Sequence, residues 1–225
     1  VQYDKEALWR VKIGHFLKRG ILIRGVIHVG ANDGYEIDWY LKLGIKHILA
    51  LEPEASAFEK LSQKFGGVPE VLCCQRALAE REYRGVLQVP SAEKFGSTNG
   101  STFLNELPNC PSVMGMAYRF DKQQEVSLLT FKALAARHDA IVPEDYNCLV
   151  VDVQGMELQV LKGFGPHLDG MDCLNIECSE VPLYEGEAPA SEVVAWLGER
   201  GFEAISPIEP HNDILFVKRG VEWLK

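Results

Sequence analysis

Short apolar runs rich in Val, Ile and Leu alternate along the chain with longer stretches of helical period, and this alternation limits the possible folds more than any other feature. Gly25 to Val29, His47 to Leu51, Glu70 to Gln75, Cys148 to Val151 and Cys173 to Cys178 read as strands. Between and after them, Tyr35 to Leu43, Pro53 to Phe65, Thr130 to His138, Met156 to Lys162 and Ser191 to Arg200 read as helices, with Pro53 in a first turn, Gly163 as a carboxyl cap and Ser191 as an N-cap. Strands separated by helices imply βαβ units and a parallel sheet with helices on both faces. Phe202 to Ile205 and Asp213 to Val217 are joined by too few residues for a helix, so they predict a closing antiparallel hairpin at the sheet edge and bring the strand count to seven.

A chain of 225 residues, 47% hydrophobic, can bury one α/β core, and no break in the pattern marks a linker, so residues 1–225 read as a single domain. Residues 1–20 form a charged, amphipathic helical segment. From Glu80 to Gln124 the periodicity loosens around Pro90, Pro108 and Pro111 and a run of small polar residues, which predicts a lid or substrate loop. An extra strand, Glu125 to Leu129, follows it.

Charge narrows the partners. With 23 Lys and Arg against 32 Asp and Glu, the net charge is -9, and no basic stripe interrupts it. Nucleic acid and anionic membrane surfaces are therefore disfavoured, and a small-molecule partner is expected. No run approaches the length of a membrane span and the amino end does not read as a secretion signal, so a cytoplasmic location is expected. The 6 cysteines lack metal-site or redox spacing and read as core thiols; no metal is assigned.

Chemistry concentrates at strand ends. Val26-Ile27-His28-Val29 runs into Gly30-Ala31-Asn32-Asp33-Gly34, a turn of small residues leading into a helix. Ligands of open α/β sheets sit outside such ends, where glycine lets a ligand approach the backbone. The turn lacks the three-glycine dinucleotide fingerprint, and Asp33 suits a cationic ligand better than phosphates. A ligand-free turn is the alternative. Glu52, about twenty residues on and just past the second strand, is placed to accept ribose hydroxyls; an exposed acid stabilised by the next helix is the other reading.

Taken together, Val29-Gly30-Ala31-Asn32-Asp33-Gly34, Leu51-Glu52-Pro53, Val151-Asp152-Val153-Gln154-Gly155-Met156-Glu157 with Leu161-Lys162-Gly163, and Ile176-Glu177 resemble the FkbM family of S-adenosylmethionine-dependent methyltransferases. The resemblance covers roughly Val26 to Val217. It implies a Rossmann-like, seven-stranded methyltransferase sheet with the cofactor across the ends of the first, second and fourth strands. It also implies O-methylation of a sugar or another small natural product. On it, the expected S-adenosylmethionine contacts are Gly30, Ala31, Asn32, Asp33, Gly34, Glu52, Pro53, Ala77 and Asp152. Two positions depart from the family pattern: His28 stands where an acid is usual, and Gln154 where a Glu is usual.

Methyl transfer to a hydroxyl needs alignment of the reactants and a base. Asp152, at the end of the fourth core strand, Glu177, at the end of the fifth, and His211, before the last strand, are the catalytic candidates. Asp152 could instead cap its turn, and His211 could be a solvated loop residue. His28 and His47 read as structural, and Glu157 as a helix-dipole residue. Ser97, Thr98, Ser101, Glu180 and Tyr184 are candidates for acceptor binding. The competing functions are an inactive nucleotide-binding or scaffold module and, on a weaker footing, a nicotinamide-dependent oxidoreductase.

Overall fold

The computed structural model describes residues 3–90, 100–105 and 120–221. After two short helices, α1 (Ala7–Arg10) and α2 (Gly14–Lys18), the chain runs β1 (Gly25–Val29), α3 (Tyr35–Lys42), β2 (His47–Leu51), α4 (Ala55–Phe65) and β3 (Val71–Cys74). Next come β4 (Ala77–Leu78), β5 (Tyr83–Pro90), β6 (Phe120–Leu129) and α5 (Phe131–Ala136). The chain closes with β7 (Cys148–Val151), α6 (Glu157–Phe164), β8 (Cys173–Ser179), α7 (Ala190–Glu199), β9 (Phe202–Ala204) and β10 (His211–Lys218).

Seven strands form the main sheet in the order β3-β2-β1-β7-β8-β10-β9. The first five are parallel, with Val26 opposite Ile48 on one side and Cys148 on the other. The closing hairpin is present, with one refinement: β10 inserts antiparallel between β8 and β9, so β9 forms the edge. Strand alternation divides the core. Val26, Ile48, Ala50, Val150 and Leu215 pack against the amino-terminal segment, α3 and α4, whereas Ile27, Leu49, Leu51, Leu149, Ile176 and Phe216 pack against α5, α6 and α7. Cover on both faces explains why β1 and β7 are buried along their whole length.

The span from Glu80 to Gln124, expected as a loop, is bounded by paired strands. β5 and β6 are antiparallel, with Tyr83 opposite Leu128 and Gln88 opposite Gln123, and β4 completes a three-stranded second sheet. These strands escape the sequence pattern because β5 begins with exposed residues and β6 begins Phe-Asp-Lys-Gln-Gln, whose described side chains are largely solvated. Helix ends also differ from expectation. Pro53 precedes α4, whose N-cap is Glu54, accepting from Ser56 N at 3.0 Å and Ala57 N at 2.7 Å. Gly165 rather than Gly163 ends α6, and Pro189 rather than Ser191 occupies the N-cap of α7. Among the described residues no helix is long and apolar enough to cross a membrane, and the five described cysteines are free thiols, four of them buried.

Candidate functional site

The chain leaves β1 toward β2 on one side and later enters β7 on the other, so the carboxyl ends of β1 and β7 flank the crevice where the strand order reverses. Backbone hydrogen bonds prolong the sheet past its strand ends. Gly30 N and Ala31 N both donate to Leu51 O at 2.9 Å, and Asp152 N donates to Val29 O at 3.0 Å. Gly30 has φ +87°, and a Cβ there would lie 1.8 Å from the Asp152 carbonyl oxygen, so the crossing of these two turns admits only glycine. Gly34 (φ +81°) serves packing, since its open side is filled by Leu61 and Phe65 of α4.

Glu52 ties the two cofactor-side turns together. Its side chain is 6% exposed, and its oxygens accept from Asn32 N at 2.8 Å and Glu54 N at 2.7 Å. Burial, only partly offset by those N–H groups, pushes the carboxyl up to about 7. Each oxygen keeps a lone pair beyond the one already used. Ala31 is buried, Asn32 adopts φ +48° and Asp33 is exposed. Pro53 lines a cavity of about 620 Å³ shared with Gln75, Arg76, Gln124 and Arg137. Ala77 pairs with Leu128 in the second sheet, its side chain in the apolar cluster of Leu87, Val126 and Met156.

Asp152, Glu177 and His211, the three residues expected to act on the acceptor, do come together. Glu177 Oε1 lies 3.5 Å from His211 Nε2. Gln154 links the group: its Nε2 donates to Asp152 Oδ1 at 2.8 Å and to Glu177 Oε2 at 2.6 Å, while its Oε1 accepts from the Tyr184 hydroxyl at 3.2 Å. Burial, then the charge of Glu177, drives the Asp152 carboxyl well above the usual range. Burial also acts upward on Glu177, but hydrogen bonds from His211 and Asp152 outweigh it and hold that carboxyl below its ordinary value. The two carboxyls are thus shifted in opposite directions, Asp152 upward and Glu177 downward. The hydrogen bond to Glu177, reduced by burial, raises the His211 imidazole. Its Nδ1 is buried and has no hydrogen-bond partner among the described residues.

The remaining candidates divide. Tyr184 is buried against Gln154 and Gly155. Glu180 does not join the group, because its Oε2 accepts from Ser191 N at 2.8 Å at the start of α7. Ser101 is half-buried beside Thr102, whose hydroxyl donates to the Gln154 carbonyl at 2.7 Å. Ser97 and Thr98 lie outside the described residues. Glu157 is buried, and its Oε1 accepts from Val153 N at 3.2 Å and Gly155 N at 3.1 Å, pinning the turn after β7; burial pushes it up to about 8.

Gln154 is the residue whose role the sequence concealed. Its replacement of a usual Glu was visible, but nothing in spacing shows that one amide nitrogen would meet two carboxyls. His28 is structural, as expected, and also linked: Nδ1 lies 3.2 Å from the Tyr40 hydroxyl and Nε2 lies 3.4 Å from Glu36 Oε2. Burial lowers the imidazole to about 4, so it is neutral and passes a hydrogen bond from Tyr40 to Glu36. Among the described residues no group of three or more His, Cys, Asp or Glu side chains is arranged to hold a metal ion.

The Methyltransferase FkbM domain profile matches residues 28–204, most of the chain. The chain belongs to the FkbM methyltransferase domain family. Among solved structures, an FkbM methyltransferase from Methylobacillus flagellatus KT aligns with a TM-score of 0.50 and 12% identity, covering 86% of this chain and 43% of that one. This FkbM chain thus spans less than half the length of that relative. An rRNA methylase from Streptococcus thermophilus aligns with a TM-score of 0.45 and 12% identity over 86% of each chain. TrmK from M. capricolum, in complex with S-adenosylhomocysteine, aligns with a TM-score of 0.44 and 9% identity over 87% of this chain and 62% of that one. No characterised protein matched in a sequence search.

Proposed function

We propose that this FkbM domain transfers a methyl group from S-adenosylmethionine to a hydroxyl oxygen of a small-molecule acceptor, a sugar or a related polyol. The observation that carries the reading is His211, with Nε2 against the Glu177 anion and Nδ1 buried and unpartnered, at the same sheet edge as the Gly30 turn and Glu52. Family membership supplies the cofactor class. The residues fit it: the buried Glu52 carboxylate keeps lone pairs for ribose hydroxyls, with Gly30, Ala31, Asn32, Asp33, Gly34 and Pro53 on the same side. Acidic residues around His211, Glu177 and Glu187, favour a neutral or cationic acceptor over a polyanion such as nucleic acid.

S-adenosylmethionine, when bound, supplies an electrophilic methyl carbon on a cationic sulfur. The protein's part is to orient the acceptor, exclude water and receive a proton. His211 Nδ1 would take the proton of the acceptor hydroxyl. Glu177 fixes the imidazole tautomer and stabilises the imidazolium. Tyr184 and Ser101 flank the acceptor side.

Incubation with methyl-labelled S-adenosylmethionine and a panel of neutral sugars, amino sugars, sugar phosphates and RNA tests this assignment. Label is expected on a neutral or amino sugar and absent with His211→Gln; label on RNA alone would overturn the acceptor class.

A further inference from the structure

We infer that Glu36 is a cofactor-binding residue: its carboxylate, carried on α3 and held by His28, receives the α-ammonium group at the methionyl end of S-adenosylmethionine. This assignment rests on the S-adenosylmethionine-dependent reading proposed above and adds to its cofactor set a residue from outside the turn after β1.

S-adenosylmethionine carries two cationic centres, a sulfonium and an α-ammonium, and an ammonium group that leaves water needs an acceptor, best a charged one. The family pattern has an acid two residues before Gly30, where this chain has His28, neutral because burial lowers the imidazole to about 4. A neutral ring cannot supply the missing charge, and the adjoining helix does. α3 starts immediately after Gly34, so Glu36 stands in its first turn at the carboxyl edge of the sheet, and its Oε2 lies 3.4 Å from His28 Nε2.

The direction of that contact follows from its chemistry. A carboxylate only accepts, so Nε2 carries the ring proton and donates to Glu36, while Nδ1 accepts from the Tyr40 hydroxyl at 3.2 Å. Tyr40 and His28 thus fix one carboxyl oxygen from below, and no hydrogen bond among the described residues uses the other. The His28 side chain is only 2% exposed and that of Glu36 is 34% exposed, so the imidazole is sealed and the carboxyl opens outward. Burial, then the charges of Asp213 and Glu177, push that carboxyl up to about 7. Lys12, the cation that acts against them, lies 3.5 Å from Asp213. A desolvated carboxyl among other acids is stabilised in its ionised form by a bound ammonium group.

Isothermal titration of the whole protein with S-adenosylhomocysteine and with 5′-methylthioadenosine, which lacks the amino-acid end, isolates this contact. Glu36→Gln keeps an acceptor for His28 Nε2 and removes the charge. It is expected to weaken S-adenosylhomocysteine binding by about tenfold or more and to leave methylthioadenosine binding within about twofold. Glu36→Ala is expected to show the same contrast and decides the matter if Glu36→Gln does not fold. His28→Asp combined with Glu36→Gln returns a carboxylate to β1 and should recover about threefold or more of the lost affinity. Unchanged S-adenosylhomocysteine affinity in the folded single variant, or equal weakening of both ligands, would overturn the inference. Absence of S-adenosylhomocysteine binding to the unaltered protein would count against the cofactor reading as a whole, whereas binding that survives Glu36→Gln counts against Glu36 alone.

Discussion

Glu177 Oε1 and His211 Nε2 face each other at 3.5 Å from neighbouring antiparallel strands, with Ser179 rather than Glu177 directly opposite His211 in the register. The diagonal placement lets the imidazole lean toward the carboxylate at the carboxyl end of β8, where the parallel strands end, and it sets the pH behaviour of the site.

A base must be neutral to accept a proton, and His211 titrates above its ordinary 6.5. Activity is therefore expected to rise with pH along an acid limb lying above pH 6.5. Glu177→Gln removes the anion that raises the imidazole, so the limb should move toward 6.5 and kcat should fall about tenfold or more. For stability the sign is opposite: a histidine raised by its partner stabilises the fold at acid pH, and that contribution is lost as pH climbs through the folded-state value. A pH profile of kcat/KM against thermal melts at the same pH values checks both.

Glu157 predicts a gain from losing a charge. Its carboxyl is pushed up to about 8, so the folded protein holds a proton that the unfolded chain releases near 4.5. Stability from this group is highest below 4.5, declines between 4.5 and 8, and stays low above. Glu157→Gln retains an acceptor for Val153 N and Gly155 N without the charge. It should stabilise the protein by about 1–3 kcal/mol at pH 8.5 and by little at pH 4.5, measured by denaturant unfolding.

Much of this arrangement was legible in the sequence, for identifiable reasons. The five core strands were readable because each is an apolar run, Glu52 and Asp152 because each directly follows such a run, and Glu177 because it is the acid near the end of one. Strand ends at a parallel sheet's carboxyl edge converge, so residues far apart in sequence could be assigned to one place. What escaped depended on contacts between side chains. Glu180 reads as a site residue by position, and its hydrogen bond from Ser191 N at the start of α7 could not be read there. Ala77 belongs to a second sheet whose strands are half solvated and carry no clean period. The bridging amide of Gln154 needs three-dimensional proximity of β7, β8 and Tyr184.

Gly30→Ala should fail for a backbone reason. The added methyl would meet the Asp152 carbonyl, and φ +87° disfavours any L side chain. A loss of at least about 2 kcal/mol is expected, read from chemical denaturation, together with weaker cofactor binding from displacement of the Asp152 turn.

Tyr40→Phe removes the hydroxyl that meets His28 Nδ1 in a fully buried pocket. Leaving that nitrogen unpaired should cost about 1–3 kcal/mol of stability. His28→Asn offers no substitute for the two-sided link to Glu36 and should cost at least as much in the same measurement.

The central claim is that the turn after β1 and Glu52 after β2 bind an adenosyl sulfonium cofactor. Isothermal titration of the unaltered protein and of Glu52→Ala with S-adenosylmethionine, S-adenosylhomocysteine and NADH tests it most directly. Saturable binding of the first two ligands, no binding of NADH, and at least a tenfold loss in the folded variant, about 1.4 kcal/mol, are predicted. Binding of NADH alone, or of none of the three, would contradict it.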